Sequence, residues 1–187
     1  VSSISGITGE DNFYSAVIDI TNSFAYFGTT TSPGKIFKVR LSDFTRVGVL
    51  TLNTGESNLQ CAAIDFTGTF AYFMSYTSPG KIIKVQLSDF TRVGVITLEA
   101  NENFPASAVI DSTDSFLYIG MYTNPGRVIK IRLSDFSRID ALVLTSTKYL
   151  KCVAIDSTNG FMYFGHEDPG VGTNRVTKVR LSDFTYV

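Results

Sequence analysis

The 187-residue sequence predicts an all-β chain of four small antiparallel sheets, and three observations carry that expectation. The chain repeats itself from end to end: Asp19, Asp65, Asp111 and Asp156 recur at intervals of 46, 46 and 45, and Pro33, Pro79, Pro125 and Pro169 at 46, 46 and 44. Between the first two copies 28 of 46 aligned positions are identical, which marks duplication of a whole structural unit. A period of this length belongs to helical arrays, solenoids or radially stacked sheets. Each unit breaks into short runs of β-branched and aromatic residues with a turn signal every eight to twelve positions, so the helical arrays are excluded.

The elements follow in order. The first segment of the unit, "SAVID" (Ser15 to Asp19), ends on an Asp followed two positions later by Thr in all four copies. Such side chains favour a tight turn by bonding back to the local backbone. The second segment is "FAYFG" (Phe24 to Gly28), returning as "FAYFM", "FLYIG" and "FMYFG". A Pro-Gly step before a basic residue comes next. Pro presets the first central φ and Gly supplies the positive φ of a type II-like turn, which makes a hairpin. The third segment, "KIFKVRL" (Lys35 to Leu41), alternates with period two and stops at "SDF", a second turn; the fourth, "RVGVLTL" (Arg46 to Leu52), completes four antiparallel strands.

A sheet of such short strands carries apolar residues on both faces, Phe24 and Tyr26 on one side of its second strand and Phe27 on the other, so it needs a neighbour on each side. Radial stacking of four-stranded sheets meets that demand, and the expected fold is a β-propeller of four blades of about 46 residues each. The repeats run over approximately 13–58, 59–104, 105–149 and 150–187 with 1–12, in a single domain. The order of signals, "xxVAID-turn-xxYFG-turn-GxVxKVxLSDFT-VxxLTL", resembles the YVTN-type repeats, a propeller family related in shape to the NHL and Kelch propellers. The resemblance covers all four units. It implies the fold, and it leaves function open among surface proteins, binding modules and occasional enzymes.

The ends carry a further expectation. Val1 to Gly6 aligns with the fourth strand of the unit, while the last copy stops at Val187 in the position of Val47. Either "VSSIS" supplies the last sheet's missing strand and closes a ring of four, or the four units belong to a longer array whose missing strand comes from an adjoining segment or a neighbouring copy. A chain beginning with Val rather than Met reads as processed or as a window of a longer one, and its first residues have neither the basic nor the apolar region of a signal peptide.

Composition narrows the partners. Sixteen Lys and Arg against 17 Asp and Glu give a net charge of −1, so neither nucleic acid nor an anionic membrane is expected, and no apolar run is long enough to span a bilayer. Cys61 and Cys152 share one slot of the first segment; they are too few for a disulfide framework, lack metal-binding spacing, and read as small buried thiols.

Four sets of residues are candidates for chemistry. His166, Glu167 and Asp168 sit where "GHEDPGVGTNRV" lengthens one hairpin by three residues, the place where a repeat protein puts a binding loop; consecutive positions suit a metal poorly, and the solvated loop tip is the plain alternative. Asp19, Asp65, Asp111 and Asp156 form either a ring of carboxylates for a cation or a set of capped turns, and the spacing to Thr favours the caps. Lys38, Lys84, Lys130 and Lys178, with Arg40, Arg132 and Arg180, form a basic stripe that either pairs with acidic groups of the next blade, such as Asp43, Asp89, Asp135 and Asp183, or meets a polyanion, and pairing is the favoured reading. Tyr72, Tyr76, Tyr118, Tyr122 and Tyr163 could stack on sugars, although the absence of Trp counts against it.

With no GxSxG, no phosphate loop and a single His, enzyme chemistry of the lyase or hydrolase type is the least expected function, and no cofactor is expected. Uniform blades suit a structural or interaction scaffold engaging other proteins or copies of itself, with a glycan- or small-ligand-binding module as the alternative. Abundant Ser and Thr with sparse Lys and Glu point to an extracellular or surface location, without N-glycosylation sequons but with hydroxyls in "TTTSPG" for O-linked sugars.

Overall fold

The computed structural model describes residues 3–6, 12–113, 115–167 and 174–187. Among them sixteen strands form four antiparallel sheets and no helix. The first sheet comprises β1 (Phe13–Asp19), β2 (Phe24–Thr29), β3 (Lys35–Arg40) and β4 (Thr45–Thr51); the second β5 (Leu59–Ile64), β6 (Phe70–Ser75), β7 (Lys81–Gln86) and β8 (Thr91–Thr97). The third comprises β9 (Pro105–Ile110), β10 (Phe116–Met121), β11 (Gly126–Arg132) and β12 (Ser137–Leu144); the fourth β13 (Leu150–Asp156), β14 (Phe161–His166), β15 (Arg175–Arg180) and β16 (Thr185–Tyr186). Every sheet is a meander in which strands adjacent in sequence are adjacent in space. Four such sheets are the blades of a β-propeller fold.

The chain divides into two compact units, residues 1–77 with 81–95 and residues 78–80 with 96–187. In the first, β1 lies alongside β5, and Tyr26, Ile36, Leu52, Leu59, Phe73 and Ile83 form one buried core between the two blades. In the second, β9 lies alongside β13, and Tyr118, Val128, Leu144, Leu150, Met162 and Phe164 do the same. Within each unit the apolar faces that the two blades turn toward one another are thus covered. A fully buried Phe or Leu in such a core is worth about 1.5–3 kcal/mol of transfer free energy.

The Pro-Gly step differs from the type II-like turn expected of it. Ser32–Pro33, Ser78–Pro79 and Asn124–Pro125 are cis, and Gly34, Gly80 and Gly126 do not adopt positive φ. These glycines serve a close approach instead: Gly34, Gly80 and Gly126 donate their N–H to the carbonyls of Glu56, Glu102 and Thr147 in the connection to the following blade, at 2.7, 2.9 and 2.7 Å. A Cβ on Gly34 would lie 2.9 Å from the Glu56 carbonyl oxygen.

Each first strand carries a bulge one residue in, between Phe13 and Ser15, Leu59 and Cys61, and Leu150 and Cys152. The extra residue re-aims its side chain, which leaves Tyr14 and Lys151 exposed.

At the ends, Ser3–Gly6 are not in a strand, and Val1 and Ser2 lie outside the described residues. The fourth place of the last sheet is taken by β16, two residues that continue the chain's own "SDFT" turn. Among the described residues no helix is long and apolar enough to cross a membrane.

Candidate functional site

The polar residues that repeat once per blade are placed by three local devices. At the end of the first strand the Asp closes its own turn. Asp19 accepts from the Asn22 backbone N–H and side-chain amide, both at 2.9 Å, and Asp65 accepts from the Thr69 and Phe70 N–H groups and the Thr67 hydroxyl. Asp111 and Asp156 do likewise with Thr113 and Ser115, and with Asn159. The capped-turn reading of these four residues holds, and no group of three or more His, Cys, Asp or Glu suited to a metal occurs among the described residues.

The basic stripe splits in two. Arg40, Arg132 and Arg180 pair with Asp43, Asp135 and Asp183 three positions on, within the same blade, not with the next one as the sequence suggested. The "LSDFT" turn folds back so far that Asp and Arg meet, while Thr45, Ser137 and Thr185 donate to the same carboxylates. Hydrogen bonds from the Arg132 guanidinium and the Ser137 hydroxyl hold Asp135 down to about 2. A depressed folded-state value means this turn's stabilisation is complete above the ordinary carboxylate value near 4 and disappears as pH falls through 2. A carboxyl NMR titration of Asp135 is expected to show its midpoint well below that of an unstructured Asp; an ordinary midpoint would contradict the pairing.

The lysines instead cover aromatic rings. Lys38, Lys84, Lys130 and Lys178 hold Nζ 4.1, 3.9, 4.1 and 3.6 Å from the ring centroids of Phe24, Phe70, Phe116 and Phe161. Lys38 and Lys130 gain a further ring from the following blade, Phe90 at 5.4 Å and Phe184 at 5.6 Å. Phe44, Phe90, Phe136 and Phe184 all have positive φ, between 49° and 55°. That conformation costs a bulky residue on the order of 1–2 kcal/mol, and docking the ring against the preceding blade's Tyr26 (Phe90) or Tyr118 (Phe184) offsets it. Gln86, which replaces Arg, bonds Ser88 instead. Burial lowers the Lys38 pKa, with nearby Asp19 opposing the shift.

Two buried ion pairs escaped the sequence reading. Arg92 grips Glu56 with Nε at 3.0 and 2.9 Å from the two carboxylate oxygens, and Arg138 grips Glu102 in the same way. Glu56 also accepts from the Asn53 N–H, and Glu102 from the Glu99 N–H, so each pair ties the connection entering a blade to that blade's last strand. The signal was available: Glu56 to Arg92 and Glu102 to Arg138 are both 36 positions apart.

Of the predicted site residues, the structure joins Glu167 and Tyr122. Lys151, the bulged residue of β13, forms an ion pair with Glu167 and lies over the Tyr122 ring, which itself packs on Tyr149 with centroids 4.5 Å apart. His166 is buried at the end of β14, opposite Leu150 and Arg175, rather than at a solvated tip. Asp168 lies outside the described residues, as does most of the lengthened loop. Tyr76 follows β6 in the first unit, its N–H bonded to the Asn58 carbonyl. Cys61 is buried, and burial pushes its thiol pKa up; Cys152 in the equivalent slot is exposed, contrary to expectation, and both are free.

Two surface features remain. Ile18, Ile20 and Phe66 are 52%, 79% and 67% exposed and line one groove with Ile64; the third and fourth blades place Ser112 and Ser157 where the first two have Ile20 and Phe66. A cavity of about 420 Å³ is lined by Asp19, Asn22, Tyr26, Lys38 and Ser88, and the buried Tyr26 hydroxyl there has no hydrogen-bond partner.

These features define a propeller whose repeated polar groups are committed to its own turns and blade junctions. Comparison with solved structures agrees on the fold. The chain is similar to hydrazine synthase of Kuenenia stuttgartiensis at 12% identity and TM-score 0.83, over 100% of this chain and 51% of that one. It is similar to the WD40 repeats of RRP9 and to U3-55K, each at 10% identity and TM-score 0.77, over 98% of this chain and 52% of theirs. The chain thus spans about half the length of the structures it matches. No family model and no curated protein matches the sequence.

Proposed function

We propose that the chain is a non-enzymatic interaction scaffold, displayed outside the cell, whose blades present apolar surface to protein partners. One observation carries this reading: Ile18, Ile20 and Phe66 line a single groove and stay largely exposed, whereas scattered apolar residues are the norm on a monomer's surface. The four Asp cap turns and His166 is buried, which supports the non-enzymatic reading. The repeat order supports placing the chain with the YVTN-type propellers, among which surface proteins are found.

The partner that fits is a protein segment with an apolar side chain for the groove. The test takes Ile20→Ser with Phe66→Ser, the residue type the other two blades carry there, so the fold is expected to survive. Cross-linking of the intact chain to extracellular proteins should yield partners joined at the groove in the wild type and lost from the double variant. A partner captured equally by both would overturn the reading. A second reading, a small polar ligand such as a saccharide, is favoured by the cavity at the unpartnered Tyr26 hydroxyl; a glycan array without binders at high protein concentration removes it.

A further inference from the structure

We infer that the cavity between the first two blades is a binding site for a sugar acid, a hydroxylated monocarboxylate whose carboxylate meets Lys38 and the Tyr26 hydroxyl. The inference rests on the reading of this cavity as a ligand site and is independent of the groove. The cavity lies wholly within the first unit, where the turns that follow β1, β5 and β7 meet strands β2 and β3. Its volume of about 420 Å³ falls within the range of about 300–1,000 Å³ usual for small-molecule pockets. One sugar ring fits, and a single bridging water would leave most of the space empty.

Two donors on the cavity wall have nothing to donate to. Tyr26 is fully buried and its hydroxyl has no hydrogen-bond partner. Burial, aided by the charge of Asp19, pushes the phenol pKa up, so the hydroxyl keeps its proton. Lys38 Nζ stands 4.1 Å from the Phe24 centroid and 5.4 Å from that of Phe90, and among the described residues it has neither a hydrogen-bond acceptor nor an ion pair. Rings offer an ammonium group a face but not the lone pair its N–H groups would take. The one carboxylate on the wall is already engaged, since Asp19 accepts from the Asn22 N–H with one oxygen and from the Asn22 amide with the other, both at 2.9 Å. What the cavity lacks is an acceptor, and a ligand carboxylate supplies two oxygens for charge-assisted bonds.

Charge and the remaining polar groups narrow the ligand further. Asp19 and Lys38 are the charged residues of the lining and cancel one another. A dianion such as phosphate would set two charges against Asp19, whereas a monocarboxylate sets one. Ser88 accepts from the Gln86 amide, which leaves its own O–H to donate, and the Thr67 and Thr69 hydroxyls share one hydrogen bond at 2.8 Å. Hydroxyls both donate and accept, so these three side chains suit the hydroxyls of a sugar ring held by its acid group.

The test titrates the full chain with D-glucuronate and, in parallel, with D-glucose, which carries a hydroxymethyl group in place of the carboxylate. The side-chain NMR resonances of Tyr26 and Lys38 should move with glucuronate and stay in place with glucose. Lys38→Met, which keeps an apolar stem over the rings, and Tyr26→Phe should each weaken glucuronate binding by about tenfold, the scale of one lost bond to a charged group. Tyr26→Phe should leave the denaturation midpoint of the ligand-free chain unchanged or raised, because it removes an unpaired hydroxyl; a purely structural hydroxyl would lower it. The methyl glycoside of glucuronate separates two sources of the same chemistry: binding as tight as the free acid points to a residue borne on a glycan, and loss of binding to the free sugar acid. Ile20→Ser with Phe66→Ser should bind glucuronate like the wild type. Glucose bound as tightly as glucuronate overturns the inference and leaves a ligand site standing, while no shift with either sugar through millimolar concentrations removes both. Glucuronate binding unchanged in Lys38→Met and Tyr26→Phe also overturns it.

Discussion

Replacing Phe73 with alanine lowers the free energy of unfolding by about 3–5 kcal/mol, among the largest losses any single truncation of this chain should cause. Phe73 is fully buried, and its ring lies against Gly28 of the preceding blade, where no side chain stands to fill the space left behind. Rigid backbone lines one wall, so the cavity stays open rather than collapsing. Phe164→Ala should behave alike at Gly120. Phe27, the same residue in the first blade, is only half-buried, and its truncation should cost less than about 2 kcal/mol. Denaturant melts of the three variants check the order. Equal losses at Phe27 and Phe73 would show that burial between blades does not govern stability.

Glu56→Ala is expected to destabilise by about 2–4 kcal/mol. Removing one partner of a buried pair leaves the other charge unsatisfied, at a cost of about 3–5 kcal/mol when both are enclosed. The Glu56 side chain is 4% exposed but Arg92 is 23% exposed, so water relieves part of that cost. Truncating both residues should cost less than the sum of the single changes, with a coupling of about 1–3 kcal/mol in a double-mutant cycle. Glu102 with Arg138 should give the same pattern in the second unit. A Glu56→Ala loss within 0.5 kcal/mol of zero would mean that the connection is held by its backbone bonds alone.

The strand segments were legible in the sequence because period and punctuation are local properties. "SAVID", "FAYFG", "KIFKVRL" and "RVGVLTL" all fall on strands, shifted by a residue or two at their ends. The sequence points Arg40 to the next blade because three residues in an extended strand cannot bring the Arg40 and Asp43 side chains together. Only the tight return at Phe44, with its positive φ, does so. The sequence predicts a turn role for Gly34 because it does not reveal that the Glu56 carbonyl oxygen, 22 residues away, stands 2.9 Å from where a Cβ would be. The insertion directly after His166 suggests a loop tip, yet β14 extends through His166 and buries the ring. The groove of Ile18, Ile20 and Phe66 is not legible in the sequence for a different reason: only the fold sets β1 alongside β5 and brings residues 46 positions apart to one groove.

The phenylalanines held at positive φ also bear on cooperativity. A lone repeat cut from the chain would keep the backbone penalty at its "SDFT" turn and lose the neighbouring ring that compensates for it. Conformational order is therefore a property of adjacent modules rather than of one, and the smallest autonomously folding fragment should hold two.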